Sequence, residues 1–460
     1  MSGPLGSSQW MYSSGAASFF TETIDNSVRL VGDATPANGG RFTRTFSTVD
    51  SATDFTLNFW IKRNDLLNPV NNSYPQFIFN FRDGTSGSVL NDLCFLNPSS
   101  YGVGASLVLT ETNSANYILS TNNLLRDHSA WYNIHVMGDM NNGTASERLK
   151  FFINGVEASY ATDNRGSYTA LTGLKAGAWT IGDYYGTAYC IGSSIARWAF
   201  VDNSTLAASY FGEFKEGIWI PKEITGITWG SAGHLLDFGQ TGTSQDASGI
   251  GADTSGQGNH WAVNNIAATD ILLDTPTNNF CTLNPLTAGT YPVLKEGNLS
   301  IATAYSADLC GVTSTWYPTT GKWYWEIHAE GSTLTYPYFG ITDQRMTMTS
   351  ATTGSYYSVA WHRAGGSAVM SGTNTYMGTI TNNNVATWTN NDIIMFALDV
   401  DARKLWVGKN GTWDGSGDPA AGTGEDASWT VDTGVSPLWM GYQSQGVNSV
   451  FNFGQDGTFN

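Results

Sequence analysis

Two sets of residues have types and spacings suited to chemistry. The first is aromatic. Trp361, His362 and Arg363 close the stretch YYSVAWHR (356–363), and Tyr376 and Trp388 follow in turn-rich text. Tyr184, Tyr185 and Tyr189 form a similar group earlier in the chain. Tyr and Trp rings offer a flat apolar face with a polar tip. Such faces stack on the C–H side of a sugar, while nearby Asn, Asp and Arg bond its hydroxyls. These eight residues are the candidate carbohydrate-binding set. The second set is Asp246, Asp253 and Asn259, in the glycine-rich run QDASGIGADTSGQGN (245–259). Hard oxygen donors of this kind suit Ca²⁺. The spacing is not that of an EF-hand, and Asp and Asn side chains in such text also close their own turns.

Other chemistries find no support. There is no G-x-S-x-G, H-E-x-x-H or Walker A text. None of the six histidines forms an i,i+4 pair on a helix, and His135 and His328 lie inside strand patterns, where hydrogen-bonded scaffold roles are expected. Glycoside hydrolysis needs two convergent carboxylates. The 38 acidic residues leave such a pair open, but the E-x-D-x-x-E strand of glycan-cleaving jelly rolls is missing. The expectation is a non-enzyme, with a polysaccharide-cleaving enzyme as the alternative. Cys94, Cys190, Cys281 and Cys310 are scattered without metal spacing, and read as reduced and buried.

The elements that would position these residues are strands. FTLNFWIKR (55–63) puts Phe55, Leu57, Phe59 and Ile61 on one face. WYNIHVM (131–137), RLKFFING (148–155) and IARWAFV (195–201) read the same way, and Asn154-Gly155 signals a type I′ hairpin turn. A short helix is expected near residues 204–211, capped by Ser204 and stopped by Gly212. GKWYWEIH (321–328), DIIMFALDV (392–400) and KLWVG (404–408) supply further strands, with a turn at Asp401-Ala402-Arg403. Trp60, Trp198, Trp323, Trp325 and Trp406 sit in these patterns and are expected in cores. The NxS/T sequons at Asn71, Asn142, Asn203, Asn298 and Asn410 are expected from Asn and Thr abundance alone.

Composition agrees. Charged residues are 13%, the net charge is -17, and glycine numbers 52 of 460. An acidic chain lacks the Lys and Arg that neutralise phosphates, so no nucleic acid is expected. No apolar run is long enough for a transmembrane helix, so no membrane insertion is expected. The start, MSGPLGSSQWMYSSG, has neither a basic n-region nor an apolar h-region, so no signal peptide is expected. Its GPLGS also matches a protease-cleavage scar, with the native reading preferred. No Lys or Arg lies between Glu223 and Leu294, and this stretch reads as an ordered, turn-rich connector anchored by Trp229, Leu235, Leu236, Phe238, Trp261, Val263 and Phe280.

Two resemblances follow from these texts. FTLNFWIKR (55–63), WYNIHV (131–136), RLKFFINGVE (148–157) and IGSSIARWAFVDNSTLAASYFGE (191–213) resemble, in order, a laminin-G or concanavalin A-like jelly roll. GKWYWEIH (321–328), YFGITD (338–343), NNDIIMFALDVDARKLWVGKNGTW (390–413), SPLWMGYQ (436–443) and VFNFGQ (450–455) resemble a SPRY domain. DGSGDPAAGTGEDA (414–427) departs from that family's short turn. The fold class is therefore all-β, with two β-sandwich (jelly-roll) domains. The expected organisation is an N-terminal segment at 1–27, serving attachment or assembly, a laminin-G-like sandwich at 28–225, the connector at 226–290, and a SPRY-like sandwich at 291–460.

The whole arrangement is similar to virion proteins of tailed marine bacteriophages, particularly those of cyanobacteria. The opening 15 residues, the connector texts DTSGQGNHWAVNNI (253–266) and DTPTNNFCTLNP (274–285), and GKNGTW (408–413) contribute to the likeness. It implies a structural virion protein, a tail fibre or a capsid fibre or knob, assembled in the host cytoplasm. Its implied partners are other virion proteins, further copies of itself in a homo-oligomer such as a trimer, and host-surface glycan. A non-adhesive capsid decoration or tail assembly protein is the closest rival. A host-type SPRY peptide-binding module is a weaker one.

Overall fold

The structure is a computed structural model. It describes residues 19–32, 38–65, 75–82, 90–96, 106–111, 116–184, 190–288, 292–303, 310–330, 337–343, 358–362, 368–370, 379–380, 387–429, 434–441 and 448–456. The chain divides into two compact units, one running up to Asn279 and the other from Phe280 onward. Each is a sandwich of antiparallel sheets, and the chain is all-β. Among the described residues no helix is long and apolar enough to cross a membrane.

In the first unit one sheet runs Val156–Glu157, Leu149–Ile153, Trp131–Asp139, Asp54–Arg63, Ser193–Asp202, Ser27–Leu30, Ile271–Leu272. His234–Leu236 also pairs with Ser193–Asp202. The facing sheet runs Tyr160–Asp163, Asn116–Thr121, Leu107–Glu111, Leu90–Phe95, Gln76–Arg82, Gly177–Ile181, Arg41–Phe46, Ala262–Asn264. Alternation decides what faces inward. Phe55, Leu57, Phe59 and Ile61 enter the main core, where Phe59 stacks on Trp198 at 4.6 Å. Trp60, on the opposite face, joins Trp131, Ile24 and Ala196 in a second apolar cluster. The Asn154-Gly155 turn forms as expected, with φ of 49° and 75°. A Cβ on Gly155 would lie 2.2 Å from the Trp219 ring, so the turn requires glycine for space as well as for conformation.

Two local expectations need correction. Residues 204–211 form no α-helix, and only Ala208–Tyr210 make a 3₁₀ turn. The segment is sewn to the neighbouring sheet instead. Thr56 Oγ1 donates to Ser204 O, and Leu206 N donates to Thr56 Oγ1. The expected connector is also largely part of the first sandwich. His234–Leu236, Ala262–Asn264 and Ile271–Leu272 add strands to its sheets. Leu236, Phe238, Ile250, Trp261 and Ile266 fill its core. Five apolar side chains of this size contribute about 1.5–3 kcal/mol each when fully buried, which holds the glycine-rich text in place.

In the second unit the larger sheet runs Pro292–Lys295, Ser300–Thr303, Asn448–Asn452, Lys322–Glu330, Ile393–Asp399, Lys404–Lys409, Ala427–Ser428, Thr379–Ile380. Thr412–Trp413 folds back on Lys404–Lys409 through Asn410 and Gly411, both at positive φ. The smaller sheet runs Cys310–Thr313, Val435–Gly441, Pro337–Asp343, Ser358–His362, Ala368–Met370. Trp325 and Phe396, opposite each other in register, stack at 5.0 Å in the core between the sheets. Cys94, Cys190 and Cys281 are buried.

Candidate functional site

The strand Lys322–Glu330 organises the second unit because its two faces meet different surroundings. Trp325 and Ile327 point inward and are buried. Trp323 shares that face but lies near its edge, half-buried, and with Trp316 at 5.5 Å and 85° it borders a cleft. The cleft is shallow and open to solvent, and Trp325, Leu398, Pro437, Phe453 and Cys281 line it further. Trp323 is therefore a rim residue rather than a core one. Its Nε1 donates to Thr320 O, while Trp325 Nε1 is buried without an acceptor.

Tyr324 and Glu326 lie on the outer face of the same strand, both half-buried. Tyr324 pairs laterally with Ala397, and Ala397 with Trp406. Glu326 pairs with Met395, Met395 with Gly408, and Gly408 with Trp413. The missing side chain at Gly408 lets the Trp413 ring lie across it, since a Cβ there would be 3.0 Å from that ring. Small residues at Ala397 and Gly408 thus open a floor on which two aromatic rings meet. Tyr324 and Trp413 are 6.2 Å apart and edge to face, and Tyr324 Oη donates to Glu326 Oε1 at 2.6 Å. Burial, and then the neighbouring carboxylate, push the Tyr324 phenol above its ordinary range, so it remains a hydroxyl donor. The arrangement joins two flat apolar faces to one carboxylate with a lone-pair edge still to use.

The loop at 414–427 closes the side of this face. Trp406 Nε1 donates to Thr423 O, Val407 N donates to Asp426 Oδ2, and Lys404 pairs with Glu425 at 3.0 Å. The insertion is a packed cover over Trp406.

No family model matches the chain, and no curated protein matches it. Several solved structures are similar to parts of it. The SPRY domain of human HERC1 is 16% identical, with a TM-score of 0.28, over 37% of this chain and 96% of that domain. The TRIM65 PSpry domain is 12% identical, with a TM-score of 0.28, over 38% of this chain and 92% of that one. The native heptameric SAP-like pentraxin from Limulus polyphemus is 15% identical, with a TM-score of 0.29, over 42% of this chain and 80% of that one.

The structure redistributes the aromatic residues singled out from sequence. Trp361 and Trp388 are buried in the second core, at 0% and 1% exposure, so neither presents a face to a sugar. Strand pairing explains Trp361: it sits opposite Phe339 in the smaller sheet and points between the sheets. Trp388 packs on Phe339 at 5.8 Å. His362 ends the strand Ser358–His362, and the surroundings of its side chain are outside the described set. Arg363, Tyr376, Tyr185 and Tyr189 also lie outside the described residues. Tyr184 is half-buried and packs on Phe77 at 4.6 Å, on the outer side of the first unit's second sheet. The sequence reading missed Tyr324, Glu326 and Trp413. Alternation along GKWYWEIH carried the signal, because it separates Tyr324 and Glu326 from Trp323 and Trp325.

The expected calcium donors do not fit a cation. Asp253 Oδ1 accepts from Leu235 N and Ser255 N, and Oδ2 accepts from Asn259 N. Asn259 Oδ1 accepts from the Arg44 guanidinium at 2.7 Å, which places a positive charge where a metal would need lone pairs. Asp246 closes its own turn, accepting from Ser248 N and Ser248 Oγ. Asp253 and Asn259 instead fasten their loop to the first sandwich, with Asn259 Nδ2 donating to Ser231 O and Gly233 O.

Proposed function

We propose that the chain is a structural, non-enzymatic virion protein of a tailed phage, a tail fibre or a capsid fibre or knob, that binds host-surface glycans. Tyr324, Glu326 and Trp413 carry the reading: two aromatic faces at right angles beside a carboxylate, on an outer sheet face. Rings of this kind cover the C–H side of a pyranose, and the carboxylate accepts from its hydroxyls. One shallow site of this type binds weakly. Assembly into a homo-oligomer, of which a trimer is one form, repeats the site and raises avidity through effective concentration. The other partners are further virion proteins, and neither nucleic acid nor membrane insertion is part of the reading. The protein acts on the virion after assembly in the host cytoplasm.

A glycan array and a pull-down from host-surface fractions, both with the oligomeric protein, test the reading. Retention on at least one glycan, lost in Trp413→Ala, is expected. No retention on any surface fraction would sink it. Release of reducing ends from host polysaccharide would replace binding with catalysis.

A non-adhesive assembly role has one observation in its favour. Phe214 and Ile218, on the hairpin of Gly212–Lys215 and Ile218–Pro221, are each 54% exposed. Their burial in subunit contacts, with the Tyr324 face also covered, would favour that role.

A further inference from the structure

We infer that the Tyr324–Glu326–Trp413 face selects glycans bearing an amino sugar and rejects acidic ones. The inference rests on the glycan-binding reading and names the ligand class for the same site. Three observations carry it. Glu326 uses Oε1 to accept from Tyr324 Oη, which fixes the carboxylate beside the ring and leaves Oε2 to meet a ligand donor. The Tyr324 and Trp413 rings, 6.2 Å apart at 80°, place two electron-rich surfaces next to that carboxylate. An ammonium group gains from both kinds of neighbour, through ion pairing and through the ring quadrupoles.

The third observation is the fate of the lysines on the strands that build the face. Lys322 pairs with Asp399 at 3.4 Å, and Lys404 with Glu425 at 3.0 Å. Lys409 donates to Thr387 O at 2.9 Å and lies 3.7 Å from Asp392. Lys404 and Lys409 are each held by an acceptor of their own, and Lys322, though 66% exposed, has the Asp399 carboxylate beside it to offset its charge toward an anionic ligand. From residue 280 onward the chain carries seven Lys and Arg against fourteen Asp and Glu. An acidic polysaccharide would approach a like-charged domain and then meet Glu326. Asn452, on the other side of Glu326, is spent on Gly454 N, Asp456 N and Asp456 O.

Calorimetric titration of the 460-residue chain at about pH 6, where a sugar amine is protonated, tests the assignment. The probes are a glucosamine hexamer, its fully N-acetylated counterpart and a guluronate hexamer. The glucosamine hexamer is expected to bind about tenfold more tightly than the N-acetylated one, with no heat from guluronate. Glu326→Gln should abolish that preference while leaving the Trp fluorescence spectrum of the fold unchanged. Trp413→Ala, which touches no charge, should weaken both uncharged and amino ligands. Equal binding of the two glucosamine-type hexamers, or a preference that survives Glu326→Gln, overturns the inference and leaves the glycan reading standing. Tight binding of guluronate overturns it as well, as does a lysine tripeptide that binds as well as the amino sugar. Silence from all three hexamers overturns the inference, while the glycan-binding reading beneath it falls only if the host-surface fractions are not retained either.

Discussion

The Lys62 ammonium lies 2.8 Å from Asp274 Oδ2, with both side chains almost wholly buried. Lys62 belongs to a central strand of the first sandwich, and Asp274 follows the last short strand of the base-free stretch. Asn279 Oδ1 accepts from the same ammonium, and Trp131 Nε1 donates to Asp274 Oδ1. The cluster therefore holds the end of the first unit against its sheet. A buried pair of this sort adds little over an apolar replacement, but breaking one side leaves a charge without compensation. Asp274→Ala is expected to destabilise by about 3–5 kcal/mol, read by urea unfolding. The double variant Lys62→Met with Asp274→Leu should recover much of that loss. Equal stability of Asp274→Ala and wild type would remove the pair from any structural role.

Buried histidines set an acid limit. His135 and His234 are fully buried, and burial pushes both down to about 4. The unfolded chain protonates them near 6.5, so it binds more protons than the fold below that pH. Their contribution is therefore full above about pH 6.5 and is lost progressively as pH falls toward 4, by roughly 3 kcal/mol for each. Urea midpoints measured across that window should drop steeply. Replacing His135 by Gln, which retains a donor toward Leu206 O, should flatten the slope by about one proton.

Asp92 should show the opposite sign. It faces Asn80 across the second sheet of the first unit, and both Oδ1 atoms are buried without a donor. Burial pushes the Asp92 carboxyl up to about 7, with a Thr110 hydrogen bond opposing the shift. Its stabilising share is whole below about pH 4 and is lost as pH rises through 7. Asp92→Asn removes the charge and gives Asn80 Oδ1 a donor. It should raise stability at about pH 8 by roughly 2–4 kcal/mol and change little at about pH 4. Unfolding curves at the two pH values decide the matter.

The strands were legible where a long period-2 run met a single core. The run at 55–63 assigns Phe55, Leu57, Phe59 and Ile61 correctly, and Asn154-Gly155 fixes the turn that follows. The three strands of the base-free stretch span two or three residues each, too few for any period to show. Their placement depends on Trp261 and Phe238 finding the first core, which is a tertiary fact. Trp361 was misread for the same reason, because its burial comes from pairing with Phe339, some twenty residues away and across a sheet. The face made by Tyr324, Glu326 and Trp413 was half legible. Alternation puts Tyr324 and Glu326 together, but Trp413 reaches them only because Ala397, one strand over, and Gly408, two strands over, leave room.

That difference between core and surface tryptophans gives a direct comparison. Trp361 is fully buried, and Trp361→Ala should create a cavity and cost about 3–5 kcal/mol. Trp413 is only half-buried and sits on an outer face, so Trp413→Ala should cost about 1 kcal/mol or less. Glycan retention should reverse the order. Trp413→Ala should lose binding while its unfolding midpoint barely moves. Trp361→Ala should bind normally at temperatures where it remains folded. The measurement pairs a thermal melt with a retention assay on one preparation of each variant. Normal retention by Trp413→Ala together with loss in folded Trp361→Ala would return the binding surface to the smaller sheet, where Trp361 resides.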